Sequence, residues 1–156
     1  MTSIPSMSRA EGPAAAATAL ARGLAHYLVP LGRAAYAAIF LSAGSAHFSP
    51  QTIAFAAQQG VPLPQLLVPA SGLMAVAGGL SVLLGYRARL GAWLLVLFLI
   101  PVTVTMHAFW AERDPMMALM QQAMFMKNVA MLGAALLIAH FGAGPMSLDA
   151  RAGGAR

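Results

Sequence analysis

Polar positions in this chain fall in clusters, and the apolar blocks between them are long enough to cross a bilayer. About 20 apolar residues span a hydrocarbon core of roughly 30 Å. Four blocks suit that length, at residues 31–47, 66–86, 90–110 and 116–140, the first being the shortest and richest in alanine. They run without the alternation of a half-buried strand. The pattern predicts an all-α fold: an integral membrane bundle of four transmembrane helices.

The breaks between blocks carry turn and cap chemistry. Pro30 stands at the start of the first block, and Arg33 lies close to the headgroups. Ser49-Pro50 joins an N-cap to a proline at the first helical position, predicting a short helix to Gln59 that stops at Gly60. Val61-Pro62-Leu63-Pro64 cannot stay helical and forms the turn into the second block. Pro101 falls inside the third block and leaves the carbonyl of Leu97 without its helical donor, which predicts a kink. Asp114-Pro115 caps the fourth, and Gly142, Gly144 and Pro145 end it. The chain therefore divides into a flexible or interfacial tail (1–29), a four-helix membrane domain (30–141) and a short C-terminal tail (142–156). Residues 1–29 do not suit a signal peptide, because their apolar stretch is almost all alanine with Arg22 just behind it.

Charge then orients the bundle. With four crossings, Arg9, Arg22, Arg33, Arg87, Arg89, Arg151 and Arg156 fall on one side. The connection from Ser49 to Gln65 has no charge, and Arg113 is offset by Glu112 and Asp114. Positive charge marks the cytoplasmic side, so both termini are expected there. Tyr36, Tyr86 and Trp93 fit the inner interface, and Trp110 fits the outer one as an anchor.

Composition narrows the function classes. Of 156 residues, 60% are hydrophobic and 8% charged, against about 25% charged in soluble domains. The net charge of +5 is spread beside apolar blocks and forms no phosphate-binding patch, so no nucleic-acid partner is expected. The absence of cysteine excludes disulfides, thiol redox chemistry by this chain alone and cysteine metal sites. No glycine-rich phosphate loop, zinc-protease helix or nucleophile elbow is present.

Two stripes of small residues suit close helix packing: Ala34, Ala38, Ser42 and Ala46, and Ser71, Ala75 and Gly79. Lys127 is the most informative polar position. It sits near the middle of the fourth block, about 16 Å deep at about 1.5 Å per residue. A charge there is costly, so it is expected to face the bundle and find a partner. Leaning toward the outer end, it reaches the level of His107, with His47, Asn128 and Thr105 nearby. One reading is a polar pocket that binds a polar head or relays protons through a histidine. The other has Lys127 donating to carbonyls near the Pro101 kink, with both histidines in the interface. Met116, Met120, Met124 and Met131 share a face with Lys127; thioethers bind Cu(I), yet methionine is also ordinary core filler, and no metal site is assigned.

The ordered set Phe40-Leu41-Ser42-Ala43-Gly44-Ser45-Ala46-His47-Phe48, Gly60-Val61-Pro62, Gly78-Gly79-Leu80, His107-Ala108-Phe109-Trp110 and Met126-Lys127-Asn128 resembles the DoxX family of small bacterial membrane proteins. The resemblance covers about residues 33–141. It implies a four-helix bundle in the bacterial inner membrane and brings the association of relatives with quinone-linked sulfur oxidation and membrane redox complexes. His107, Trp110, Lys127 and Asn128 match the family's motif positions. Many members carry a glutamate ahead of the double glycine, where this chain has Ala75. The resemblance thus points to a redox-associated subunit with a quinone as ligand. A non-enzymatic scaffold, assembly factor or small-solute carrier is the alternative. Expected partners are the lipid bilayer, other membrane or redox proteins, or further copies of the chain.

Overall fold

The computed structural model describes residues 12–153, so Arg9, Glu11 and Arg156 lie outside the described residues. The chain forms α1 (Pro13–Ala46), α2 (Pro50–Gln58), α3 (Pro64–Leu84), α4 (Ala88–Met106), a 3-10 turn (Phe109–Ala111), α5 (Pro115–Phe141) and α6 (Leu148–Gly153). Four segments are long and apolar enough to cross a membrane: 23–46 in α1, 64–84 in α3, 88–111 through α4 and the 3-10 turn, and 115–141 in α5. The all-α, four-span reading therefore holds.

Local chemistry sets most boundaries. Ser49 Oγ accepts the Thr52 amide at 3.2 Å, and Asp114 Oδ1 accepts that of Met117 at 2.9 Å, so both predicted N-caps form. Gly85 closes α3 in the left-handed region, as a C-terminal glycine is free to do. Two boundaries differ from the sequence reading. Pro30 lies inside α1, not at its start, and the described side chains from Ala17 to Val29 are exposed. Pro101 lies inside α4, but the helix stops at Met106 and not at Trp110. His107 leaves helical geometry, and Phe109–Ala111 form a separate turn.

Helix α1 packs on α3, α3 on α4 and α4 on α5, with α2 lying against α3. Glycines set the close contacts. A Cβ on Gly72 would lie 2.6 Å from His47 Cβ and 2.9 Å from the Gly44 carbonyl. One on Gly44 would meet Val76 at 2.8 Å, and one on Gly78 would meet the Gly91 carbonyl at 2.9 Å. Packing at this range is what draws helices together where lipid offers no hydrophobic drive. On α3 the expected stripe is used, since Ala75 and Gly79 are buried. On α1 it is not. Ala38, Ser42 and Ala46 are exposed, and Arg33, Ala37, Phe40 and Gly44 turn inward instead. The period was right and the face was wrong, because four-residue spacing alone does not fix a helix's rotation. Phe40, Val82, Leu95, Phe98 and Leu99 form the centre of the core.

Candidate functional site

A cavity of about 450 Å³ lies between α2, α3 and the second half of α4, in the half of the bundle remote from the Arg87 turn. Its walls include His47 at the end of α1, Ala56 of α2, Met74 of α3, and Phe98, Pro101 and Thr105 of α4. The cavity has its shape for reasons visible in the sequence. The Gly60–Pro64 turn folds α2 back over α3, with Leu63 held at φ 45°. Pro101 has no N–H for the Leu97 carbonyl, and both residues line the space.

The lining is mostly apolar with a few polar groups, the usual character of a small-molecule site. Those groups differ in what they still offer. Ser71 Oγ donates to the Val68 carbonyl at 2.7 Å and Thr105 Oγ1 to the Pro101 carbonyl at 2.7 Å. Thr52 and Ser49 share a bond of 2.9 Å between their hydroxyls. His47 Nδ1 lies 2.9 Å from the Ala43 carbonyl. A carbonyl only accepts, so Nδ1 carries the proton and Nε2 is left uncommitted. The imidazole edge meets the Phe98 ring at a centroid distance of 5.7 Å, which holds it against the core. A neutral His47 therefore presents an acceptor, as the hydroxyl oxygens of Ser71 and Thr105 also do.

The four residues expected to share one polar pocket are not gathered there. His47 lines the cavity, while His107, Lys127 and Asn128 do not. His107 is half-buried, and its Nδ1 bonds Gln121 Oε1 at 2.8 Å, tying the end of α4 to α5. Asn128 is buried, and no described residue hydrogen-bonds its amide. Lys127 is exposed on α5, against the expectation that it faces the bundle. The reason is rotational: the inward positions of α5 include Gln121, Phe125, Asn128 and Ala135, and Lys127 lies one step around the helix from them. Of the methionines on that face, Met116, Met120 and Met124 are exposed, and Met131 is half-buried with its carbonyl accepting from Tyr36 Oη at 2.9 Å. Trp110 is exposed in the 3-10 turn, edge-on to Phe109 and Phe125. Among the described residues, no three His, Cys, Asp or Glu side chains come together as a metal-binding group.

Sequence reasoning missed a second polar centre, at the arginine-bearing end. Arg33 is 5% exposed and donates to the carbonyls of Ala143 at 2.8 Å and Met146 at 2.7 Å, which pins the segment after α5. Asp149 accepts from the Arg87 amide at 2.7 Å and the Ala88 amide at 3.0 Å, capping α4 from a distance in sequence. Its own amide donates to the Gly85 carbonyl at 2.8 Å. The available signal was the depth of Arg33 in an apolar block, which reads equally well as a side chain reaching for headgroups.

Comparison with known proteins places the chain. Residues 28–108 match the family model described as DoxX. The chain is also similar to the inner membrane protein YphA of Escherichia coli (strain K12), 31% identical over 100 residues, which cover 64% of this chain and 71% of YphA. No solved structure matches.

Proposed function

We propose, from the premise that this chain belongs to the DoxX family, that it is a multi-pass inner membrane protein that holds a quinol or quinone in the cavity beside His47. Both termini and the Arg87 turn lie on the cytoplasmic side in this reading, which puts the cavity in the outer half of the membrane. The uncommitted Nε2 of His47, set in an apolar space of about 450 Å³, is the observation that carries it. The reduced ring suits the lining best, since its hydroxyls are donors and the cavity offers acceptors. Oxidation of a quinol releases two protons and two electrons. His47 is placed to take one proton, the second leaves to water at the cavity mouth, and the two electrons pass to a redox protein that this subunit serves. His107 supports the helix pair α4–α5 through Gln121 in this arrangement, and neither it nor Asn128 touches the ring.

The test is a photoreactive quinone analogue added to the full chain in mild detergent, with labelled peptides mapped. Labelling is expected in residues 67–74 and 97–106 and should fall when unlabelled quinol is added. Labelling confined to α5, or none, would sink the reading.

A second reading has one observation behind it. Lys127 lies 12 residues from Pro115, about 18 Å along a helix rising about 1.5 Å per residue. The carboxylates of Glu112, Asp114 and Asp149 stand at the ends of the bundle. An ammonium at that depth calls for a counter-charge. A partner's membrane helix carrying a carboxylate supplies one, and the chain is then a scaffold or assembly factor. Crosslinks from position 124 to an acidic partner helix, lost in Lys127→Met, are the expected result; crosslinks unchanged by that substitution would remove the idea.

A further inference from the structure

A second cavity, of about 520 Å³, opens at the arginine-bearing end between the α3–α4 turn and the segment that follows α5. Arg87 and Arg89 line one side, and Gly142 and Gly144 line the other. Neither guanidinium has a carboxylate partner among the described residues, and that of Arg87 rests over the Tyr86 ring at 5.7 Å. Asp149 also lines the cavity, but its carboxylate accepts from the Arg87 and Ala88 amides and its charge acts on Arg33, with no ion pair to the Arg87 or Arg89 guanidinium. The guanidinium donors are therefore left for an outside anion.

The opposite wall is built to let that anion in. Gly142 and Gly144 hold φ of 84° and 68°, a region costly for other residues. A Cβ on Gly142 would lie 3.4 Å from Arg89 Nε, so the missing side chain leaves the guanidinium lying along bare backbone. Arg33 fixes this wall through its two carbonyl bonds. Toward the bilayer, Leu90 and Phe141 flank the cavity, 59% and 73% exposed. A charged mouth with exposed apolar side chains beside it matches an amphiphile, with an anionic head above and a hydrocarbon tail below.

We propose that this cavity binds the phosphate of an anionic phospholipid, held by Arg87 and Arg89, with an acyl chain against Leu90 and Phe141. Arginine suits the role because its planar fork binds phosphate oxygens in pairs. The site needs only headgroup depth and does not depend on what occupies the cavity beside His47.

Native mass spectrometry of the full chain in mild detergent tests the proposal, with phosphatidylglycerol, phosphatidylcholine and inorganic phosphate added separately. Phosphatidylglycerol is expected to form retained adducts and phosphatidylcholine few. In R87Q/R89Q, affinity for phosphatidylglycerol should fall roughly thirty-fold, with part of it restored in R87K/R89K and none lost in R151Q. Thermal unfolding checks that each variant is folded. Equal retention of the two lipids would overturn the proposal, as would a double variant that binds like wild type or an equal loss in R151Q. Inorganic phosphate that binds alone and displaces the lipid would also overturn it, since the ligand would then be a soluble phosphate.

Discussion

The two ends of the bundle spend their polar groups in opposite ways. At the arginine-bearing end the bonds are long in sequence: Arg33 reaches residues 110 and 113 positions away, and Asp149 reaches 62 and 61 positions back. Each of these ties one element to another. In the other half, His47, Ser71, Thr103 and Thr105 bond carbonyls three or four positions earlier in their own helices. Those bonds satisfy the side chains without joining helices, and His107 to Gln121 is the nearby exception. Cohesion in that half rests on small-residue packing instead, at Gly44 and Gly72. A region held by backbone contact along a few lines can keep a space between its helices. A region cross-tied by charged side chains is closed to such a space in its interior, and its cavity sits at the rim.

Breaking the cross-ties should therefore cost the most. Arg33→Met leaves the Ala143 and Met146 carbonyls without their donor in a buried setting. Charge-assisted bonds contribute about 1.5–3 kcal/mol each, so a loss of about 3 kcal/mol is expected. Unfolding in detergent would report it, and protease cleavage within residues 142–153 should accelerate. An intact tail and unchanged unfolding would show that Arg33 ties nothing.

Packing in the opposite half comes next. Gly72→Leu puts a side chain where Gly44 and His47 already stand, and overpacking costs about 1–3 kcal/mol. The loss should come with a displaced α1, read by a spin-label distance between α1 and α3. The two substitutions act on separate sets of contacts, so their effects should add within about 0.5 kcal/mol. Strong coupling between them would mean that the two halves are one unit, and the contrast between them would fail.

Much of the fold was legible in the chain because lipid imposes few solutions. Long apolar blocks, Ser49-Pro50, Gly60 and Asp114-Pro115 each had a direct physical meaning, and each holds in the structure. Rotation about the helix axis was not legible. Every face of a membrane helix is apolar, so hydrophobicity does not distinguish the inner face of α1 or α5 from the outer. That single gap explains both misplacements, the Ala34–Ala46 stripe and Lys127. The Arg33 and Asp149 ties were hidden for another reason. They join residues more than 60 positions apart, and no local pattern encodes such a meeting. His47 and Thr105 were legible as polar residues at one level of the bundle, but the Ser71 lining beside them emerged only with the fold.

A smaller loss is expected from the remote cap. Asp149→Ala frees the Arg87 and Ala88 amides at the start of α4, and losing such a cap costs about 1 kcal/mol. Asp149→Asn keeps an acceptor oxygen and should recover part of that. Amide hydrogen exchange at residues 87 and 88 is the direct measurement, and protection unchanged in Asp149→Ala would refute the cap.

The least costly substitution is the most discriminating. His47→Phe keeps a ring against Phe98 and gives up a bond within its own helix, so stability should move by less than about 0.5 kcal/mol. Binding of a quinol should nevertheless weaken, because a phenyl ring offers no acceptor and cannot take a proton. That separation, near-constant unfolding with lost ligand, is what a half with few cross-ties allows: the polar side chains that line its cavity can serve a ligand because the fold does not need them. If His47→Phe unfolds the protein as readily as Arg33→Met, His47 is structural and the two halves do not differ in kind. If it leaves both stability and quinol binding untouched, the cavity remains but its ligand is recognised by something other than His47.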